Sequence, residues 1–228
     1  DDSLNPVKLK DGHLLKRPAG HGALIENLNE VDQQMVLIKN IDNVQHLHSS
    51  DRSLEVWKSL CGLLLKVKEE LNRLYAEPSM EDLLEFNKAY QVYTSVQLNI
   101  NDDAECIRDL IKRPLRICGM VKNEGKAGGG PFLVKDKEGR ITKQIIEAVQ
   151  ISKEDSQQKI LAESTHFNPV MMVLDLYDFD GIKHDLKEYR NDDNYFVVSK
   201  KYEGTEISFI ELPGLWNGAM AKWLTIFI

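Results

Sequence analysis

Leu54, Trp57, Leu60, Leu64, Val67, Leu71 and Leu74 recur at steps of three and four residues. That spacing lines them up on one face of a helix over 54–76. A stripe of this length has to be covered, so the chain must supply a sheet or further helices. Pro78 ends the helix, because proline lacks the amide donor and crowds the preceding turn. Ser79 with Asp82 is a capping-box variant and predicts a second helix over roughly 80–96. Asp102 or Asp103 starts a third, to about Lys112. The leucine and aromatic stripes read as core. This α-rich block, taken as about 54–112, lies between strand-like stretches and reads as an insertion or a lid packed on a sheet.

Upstream, residues 1–16 are polar, with a short strand near Leu14. Pro18 to Gly22 is a turn, since proline fixes φ and glycine permits φ > 0. Ala23 to Leu28 reads as a short helix, and Met35 to Ile38 as a buried strand ending at Ile41-Asp42-Asn43. A glycine turn before a helix, then a strand tipped by Asp, suits phosphate and metal. Helix starts attract anions, strand ends line ligand crevices, and a carboxylate there can hold Mg2+. The plain alternative is a surface turn and a strand-capping Asp. His46 and His48, in QHLHSSD, read as a solvated loop.

Downstream the texture is β. Leu115 to Val121 reads as a strand, followed by a loop carrying Lys122, Lys126 and the glycines Gly128, Gly129 and Gly130. Three glycines let a backbone pass close to a ligand, and the lysines suit phosphate; a flexible hairpin loop is the alternative. Phe132–Val134 and Ile141–Ile151 read as strands joined by a turn at 136–139. Glu147 then falls inside an apolar strand, either on its solvent face or against sugar hydroxyls. Ser152 with Asp155 opens a helix to about Ala162. Asn168 precedes the apolar run MMVLDL, facing a cleft or shaping a turn. Residues 175–194 are acidic and irregular. Tyr195–Ser199 and Ile207–Leu212 form a hairpin around Glu203-Gly204, and Leu215–Met220 is a short helix or loop.

The 228 residues, 42% hydrophobic and 29% charged, suit one domain with a full core. A net charge of −7 without a basic run argues against nucleic acid as a steady partner. Cys61, Cys106 and Cys118 lack metal spacing and read as reduced thiols of a cytoplasmic protein. No run reaches membrane length. There is no G-x-S-x-G elbow to support a serine hydrolase. The start on Asp-Asp-Ser and the end on LTIFI read as a fragment of a longer protein.

RPAGHGALIENLN, IKNIDNV, RICGMVKNEGKAGGGPF, STHFNP and ELPGLWNGAMAKW resemble an uncharacterised bacterial family, a domain of unknown function found mainly in Bacteroidetes. The resemblance covers nearly the whole chain. It implies the fold of the nucleotide-diphospho-sugar transferases, the GT-A-like superfamily. The expected class is α/β, a mixed, mainly parallel sheet flanked by helices, with the helical insertion. The motif order is also similar to UDP-sugar pyrophosphorylases. That similarity implies base or ribose contacts from Gly20, His21 and Gly22. It implies Mg2+ at Asp42, with Asn217 as a second metal ligand. It implies sugar contacts from Gly129 or Gly130, Glu147 and Asn168. Lys122 or Lys126 would neutralise developing charge. The substrates implied are an NTP, UTP favoured, and a sugar-1-phosphate. The triphosphate-gripping Gly-rich loop of such enzymes does not precede Gly20, and the resemblance places it upstream. A non-catalytic nucleotide-sugar-binding module and a glycosyltransferase on the same fold are the other readings. The glycosyltransferase would want Asp-x-Asp where this chain has Asp42-Asn43-Val44.

Overall fold

In the computed structural model, residues 5–16, 20–44, 46, 51–99, 101–125 and 129–228 are described. A four-stranded sheet organises them. Its strands are β1 (Met35–Lys39), β2 (Leu115–Cys118), β7 (Met171–Asp175) and β10 (Leu224–Phe227), in the order β1-β7-β2-β10. β7 runs antiparallel to both β1 and β2, while β10 is parallel to β2. The sheet is mixed, as expected, but its pairings are mostly antiparallel rather than parallel. The cause is β7, the one strand of the four that runs against the others and the one between β1 and β2.

Side chains alternate across this sheet with a period of two. Leu115, Ile117, Val173, Leu224 and Ile226 share one core with the helices α2 (Asp51–Ala76), α3 (Met80–Tyr90) and α4 (Ala104–Ile111). The predicted stripe supplies Leu60, Leu64, Val67, Leu71 and Leu74 to it, whereas Leu54 is exposed. Cys118, Met172 and Leu174 belong to a second core with Ile25 and Leu28 of α1 (Leu24–Glu30), Ile145, Met220 and Trp223. The site described below lies on this second side.

The second helix is shorter than its expected span to 96. It stops at Tyr90, where Gln91 takes φ 51° and the Asn87 side chain bonds both the N–H and the carbonyl of Tyr93. Its start follows the sequence: Ser79 Oγ accepts from Asp82 N at 3.4 Å. Ser79→Ala is expected to lower stability by about 1 kcal/mol. Urea unfolding checks this, and an unchanged midpoint would show that the cap contributes nothing.

Smaller strand pairs frame the sheet. β3 (Val121–Lys122) pairs with β6 (His166–Phe167), β4 (Gly130–Lys135) with β5 (Ile141–Ile146), and β8 (Phe196–Tyr202) with β9 (Thr205–Glu211). β5 ends at Ile146, so Glu147 is not inside a strand as expected. Gln150 Oε1 accepts the Glu147 amide at 3.1 Å and turns the chain into a short 3-10 helix, Ala148–Gln150. Helix α5 (Asp155–Ala162) follows, close to its expected span. The three cysteines are free thiols. No helix among the described residues is long and apolar enough to cross a membrane.

Candidate functional site

Three turns remote in sequence meet beside the second core. The first is the 3-10 turn His21–Ala23, which leads into α1. The second is the Glu147 turn at the end of β5. The third is the Pro213–Met220 stretch between β9 and β10. Their meeting brings together His21, Glu147 and Asn217. Asn217 Nδ2 donates to Glu147 Oε1 at 2.8 Å and to Gln150 Oε1 at 3.2 Å. His21 Nε2 lies 3.6 Å from the same Glu147 oxygen.

The His21 tautomer follows from its other nitrogen. Nδ1 accepts the backbone N–H of Leu215 at 3.1 Å, and an amide can only donate. Neutral His21 therefore carries its proton on Nε2, facing Glu147. The ring stacks on Trp216, with centroids 4.2 Å apart and planes 20° apart. The Phe196 ring lies tilted to it, with centroids 5.8 Å apart. Burial pushes the His21 pKa down; the Glu147 and Glu211 carboxylates pull it back up.

Glycines allow this packing. A Cβ on Gly214 would collide with both Asn217 Oδ1 and His21 Cε1. One on Gly22 would meet the Leu212 and Pro213 carbonyl oxygens at 2.5 Å. Gly20 lies against the Glu211 carboxylate. Gly129 faces Ile145 and Trp216, with Glu147 Cγ 3.8 Å from where its Cβ would be. Gly130 opens β4 opposite Ile146.

Two buried polar atoms of the cluster, Asn217 Oδ1 and Trp216 Nε1, have no hydrogen-bond partner among the described residues. Such atoms are costly to leave unmade, and they mark a place for a ligand or water. Behind them, Arg116 of β2 is fully buried. Its Nη1 donates to Trp216 O at 2.5 Å and its Nε to Thr225 Oγ1 at 2.7 Å. Burial pushes its pKa below the usual guanidinium value.

The other expected site residues sit elsewhere. Asn168 is buried, and both ends of its amide serve the backbone: Nδ2 donates to Gly119 O at 2.7 Å, and Oδ1 accepts from Val170 N at 2.9 Å. Its backbone N–H donates to Gly129 O and ties it to the cluster. Asp42 is exposed in a 3-10 turn at the tip of β1. That tip is tied to the same turn, since Asn43 Nδ2 donates to Pro169 O at 2.6 Å. Lys122 is exposed on β3, opposite His166. Lys126 and His48 lie outside the described residues. Among those residues, no group of three or more His, Cys, Asp or Glu is placed to hold a metal.

Gln150, Glu211 and Gly214 join the site without having been expected there. A Gln three residues after Glu147 is a capping pattern, which is the one legible signal for Gln150. The other two lack a local signature, because their role comes from what packs against them.

The family model described as a domain of unknown function, DUF4301, matches residues 1–228. No curated protein matches. Solved structures that match include two mutants of UDP-glucose pyrophosphorylase from Leishmania major, each in complex with UDP-glucose. One is 14% identical, with a TM-score of 0.31, over 68% of this chain and 36% of that one. The other is 13% identical, with a TM-score of 0.32, over 90% and 46%. The chain thus spans less than half the length of either.

Proposed function

The chain belongs to the DUF4301 family, and from the site this sequence builds we propose that it forms the sugar side of a sugar-1-phosphate nucleotidyltransferase. The observation that carries the reading is the convergence of His21, Glu147 and Asn217, three residues drawn from separate motifs of the pyrophosphorylase-like order. The reaction joins an NTP, with UTP favoured, to a sugar-1-phosphate. A sugar-phosphate oxygen attacks the α-phosphorus in line, the bond to the β-phosphate oxygen breaks, and pyrophosphate leaves. Such chemistry needs positioning and charge neutralisation more than covalent help.

In this reading Glu147 accepts hydrogen bonds from sugar hydroxyls, held in place by Asn217 and His21. Gly129 and Gly130 leave room for the ring, and Asn168 fixes their backbone. Gly20, His21 and Gly22 bound the base or ribose. Lys122 and Lys126 meet phosphate charge. Asp42 is an exposed carboxylate at the tip of β1, a hard oxygen donor that suits Mg2+; Asn217 keeps an unpartnered oxygen, but inside the buried His21 cluster and not at that tip. Bound at Asp42, Mg2+ would neutralise phosphate charge. The helical block 54–112 is an insertion within one nucleotidyltransferase-like domain, and the whole is a cytoplasmic bacterial enzyme.

One observation favours the second reading, a binding module without turnover. The charges that act on His21 are both carboxylates, Glu147 and Glu211. That environment suits sugar hydroxyls better than a triphosphate. The test is pyrophosphate release by the intact protein with Mg2+, crossing NTPs with sugar-1-phosphates. Release is expected from UTP and one sugar-1-phosphate, and is lost in Asp42→Asn. Glu147→Ala should weaken the sugar phosphate about tenfold or more, at unchanged UTP affinity. No release from any pair, with UDP-glucose still bound in calorimetry, would replace the enzyme by the binding module.

A further inference from the structure

A cavity of about 740 Å3 lies apart from the His21 cluster. It is bounded by the 92–97 loop, the β4–β5 turn, the 188–193 stretch and the approach to β10. None of His21, Glu147, Trp216 and Asn217 lines it. Its volume falls within the range of small-molecule pockets, about 300–1,000 Å3.

The cavity's unpaired charge is positive. Arg113, Lys143 and Lys222 line it, and none has a carboxylate partner among the described residues. Lys222 Nζ donates to the Glu188 carbonyl at 3.2 Å, and Lys143 Nζ to the Gln91 carbonyl. The half-buried Arg113 guanidinium makes no hydrogen bond among the described residues. Its charge acts on Tyr93 and Tyr189, which stand in the same wall. Most acids at the rim are already engaged: Asp136 and Glu138 with Arg140, and Asp193 with Lys137. Glu188 is the exception, and it is exposed. A guanidinium with open donors, beside aromatic walls, is suited to a phosphate or carboxylate on an organic body.

The floor connects to the first site. Thr225 lines the cavity and accepts from Arg116, which also donates to the Trp216 carbonyl. Trp216 stacks on His21, whose Nε2 faces Glu147. Trp223 also lines the cavity, and its buried indole N–H has no partner among the described residues.

We propose that this cavity binds a small organic anion through a phosphate or carboxylate held by Arg113, and that its occupancy changes sugar binding at Glu147 by way of Thr225, Arg116 and Trp216. The second half rests on the nucleotide-sugar reading of the first site; the first half does not. The test is calorimetric titration of the intact protein with inorganic phosphate, ribose 5-phosphate and citrate. The phosphates and citrate separate the two anion types. Arg113→Gln should weaken the bound anion about tenfold, the worth of a charge-assisted hydrogen bond. Lys143→Gln should weaken it by less, and Glu147→Ala should leave it unchanged. No binding of any of the three probes, or equal affinity in Arg113→Gln, overturns the site. Binding abolished by Glu147→Ala overturns it as well, because the anion would then be in the first site. Coupling is reciprocal, so UDP-glucose affinity should shift with the anion present and fail to shift in Arg113→Gln. An unshifted affinity overturns the coupling and keeps the cavity site. Absence of UDP-glucose binding overturns the function proposed above and, with it, the coupling.

Discussion

Gly214→Ala is expected to weaken the proposed nucleotide-sugar binding by about a hundredfold and to lower stability. The added Cβ would stand inside contact distance of both Asn217 Oδ1 and His21 Cε1. Both groups are held in place. Asn217 is fully buried and donates to Glu147 and Gln150. His21 is held by the stack on Trp216 and by the Leu215 amide. Overpacking of this kind costs about 1–3 kcal/mol. The larger effect is on the site, because any retreat of Asn217 releases Glu147. Loss of the oriented carboxylate should weaken the proposed nucleotide sugar by about a hundredfold, as for a buried charged hydrogen bond. Gly214 has no left-handed backbone to preserve, so the effect is one of volume. Gly62 provides the control. It lies within α2 and a Cβ there meets nothing within 4 Å, so Gly62→Ala should raise stability by about 0.4–1 kcal/mol. Melting temperature and calorimetry with UDP-glucose check both. Wild-type affinity in Gly214→Ala would remove the nucleotide sugar from this cluster.

What the sequence made legible was local. The stripe from Leu60 to Leu74, the Ser79 cap and the β8–β9 hairpin follow from spacing, capping and turn chemistry, and they lie where expected. Strand direction was not legible. MMVLDL is equally apolar read in either sense, so nothing in it announces that β7 runs against β1 and β2. Glu147 was misplaced for a related reason. Its neighbours Ile145, Ile146, Ala148 and Val149 look like strand, but the Gln150 side chain takes the Glu147 amide and bends the chain out of the ladder. The site was legible as residue types and not as contacts. His21, Glu147 and Asn217 stood out in their motifs, while their meeting depends on the glycines that let three turns close together. Asp42 and Lys122 stood out equally, and the fold puts both on exposed positions. Arg113 and Arg116 had no sequence signal, since unpaired arginines differ from paired ones only in three dimensions.

His184 is expected to make the protein lose stability as the pH falls from about 6.5 to about 4. Its side chain is largely buried, its Nε2 has no partner among the described residues, and its Nδ1 meets Tyr189 OH at 3.1 Å. Burial lowers its pKa from 6.5 to about 4. The surrounding charges pull in both directions, with Asp178 and Asp175 raising it and Lys68 and Lys112 lowering it. Between those two pH values the unfolded chain binds a proton that the folded one refuses. Stability is therefore complete above about pH 6.5 and declines as the pH falls toward 4. A shift of this size corresponds to about 3 kcal/mol, at about 1.4 kcal/mol per pKa unit. Asp178 and Asp180, whose pKa values are lowered below 3.8, add to the decline only at the lower end of this window, near pH 4. His21 shifts in the same direction and adds to the decline. His184→Gln removes the titrating group and keeps an amide able to face Tyr189. Urea unfolding at intervals from pH 4 to 7 should show a steep slope in the wild type and a shallower one in His184→Gln. Equal slopes in the two proteins would mean that His184 takes up its proton without disturbing the fold.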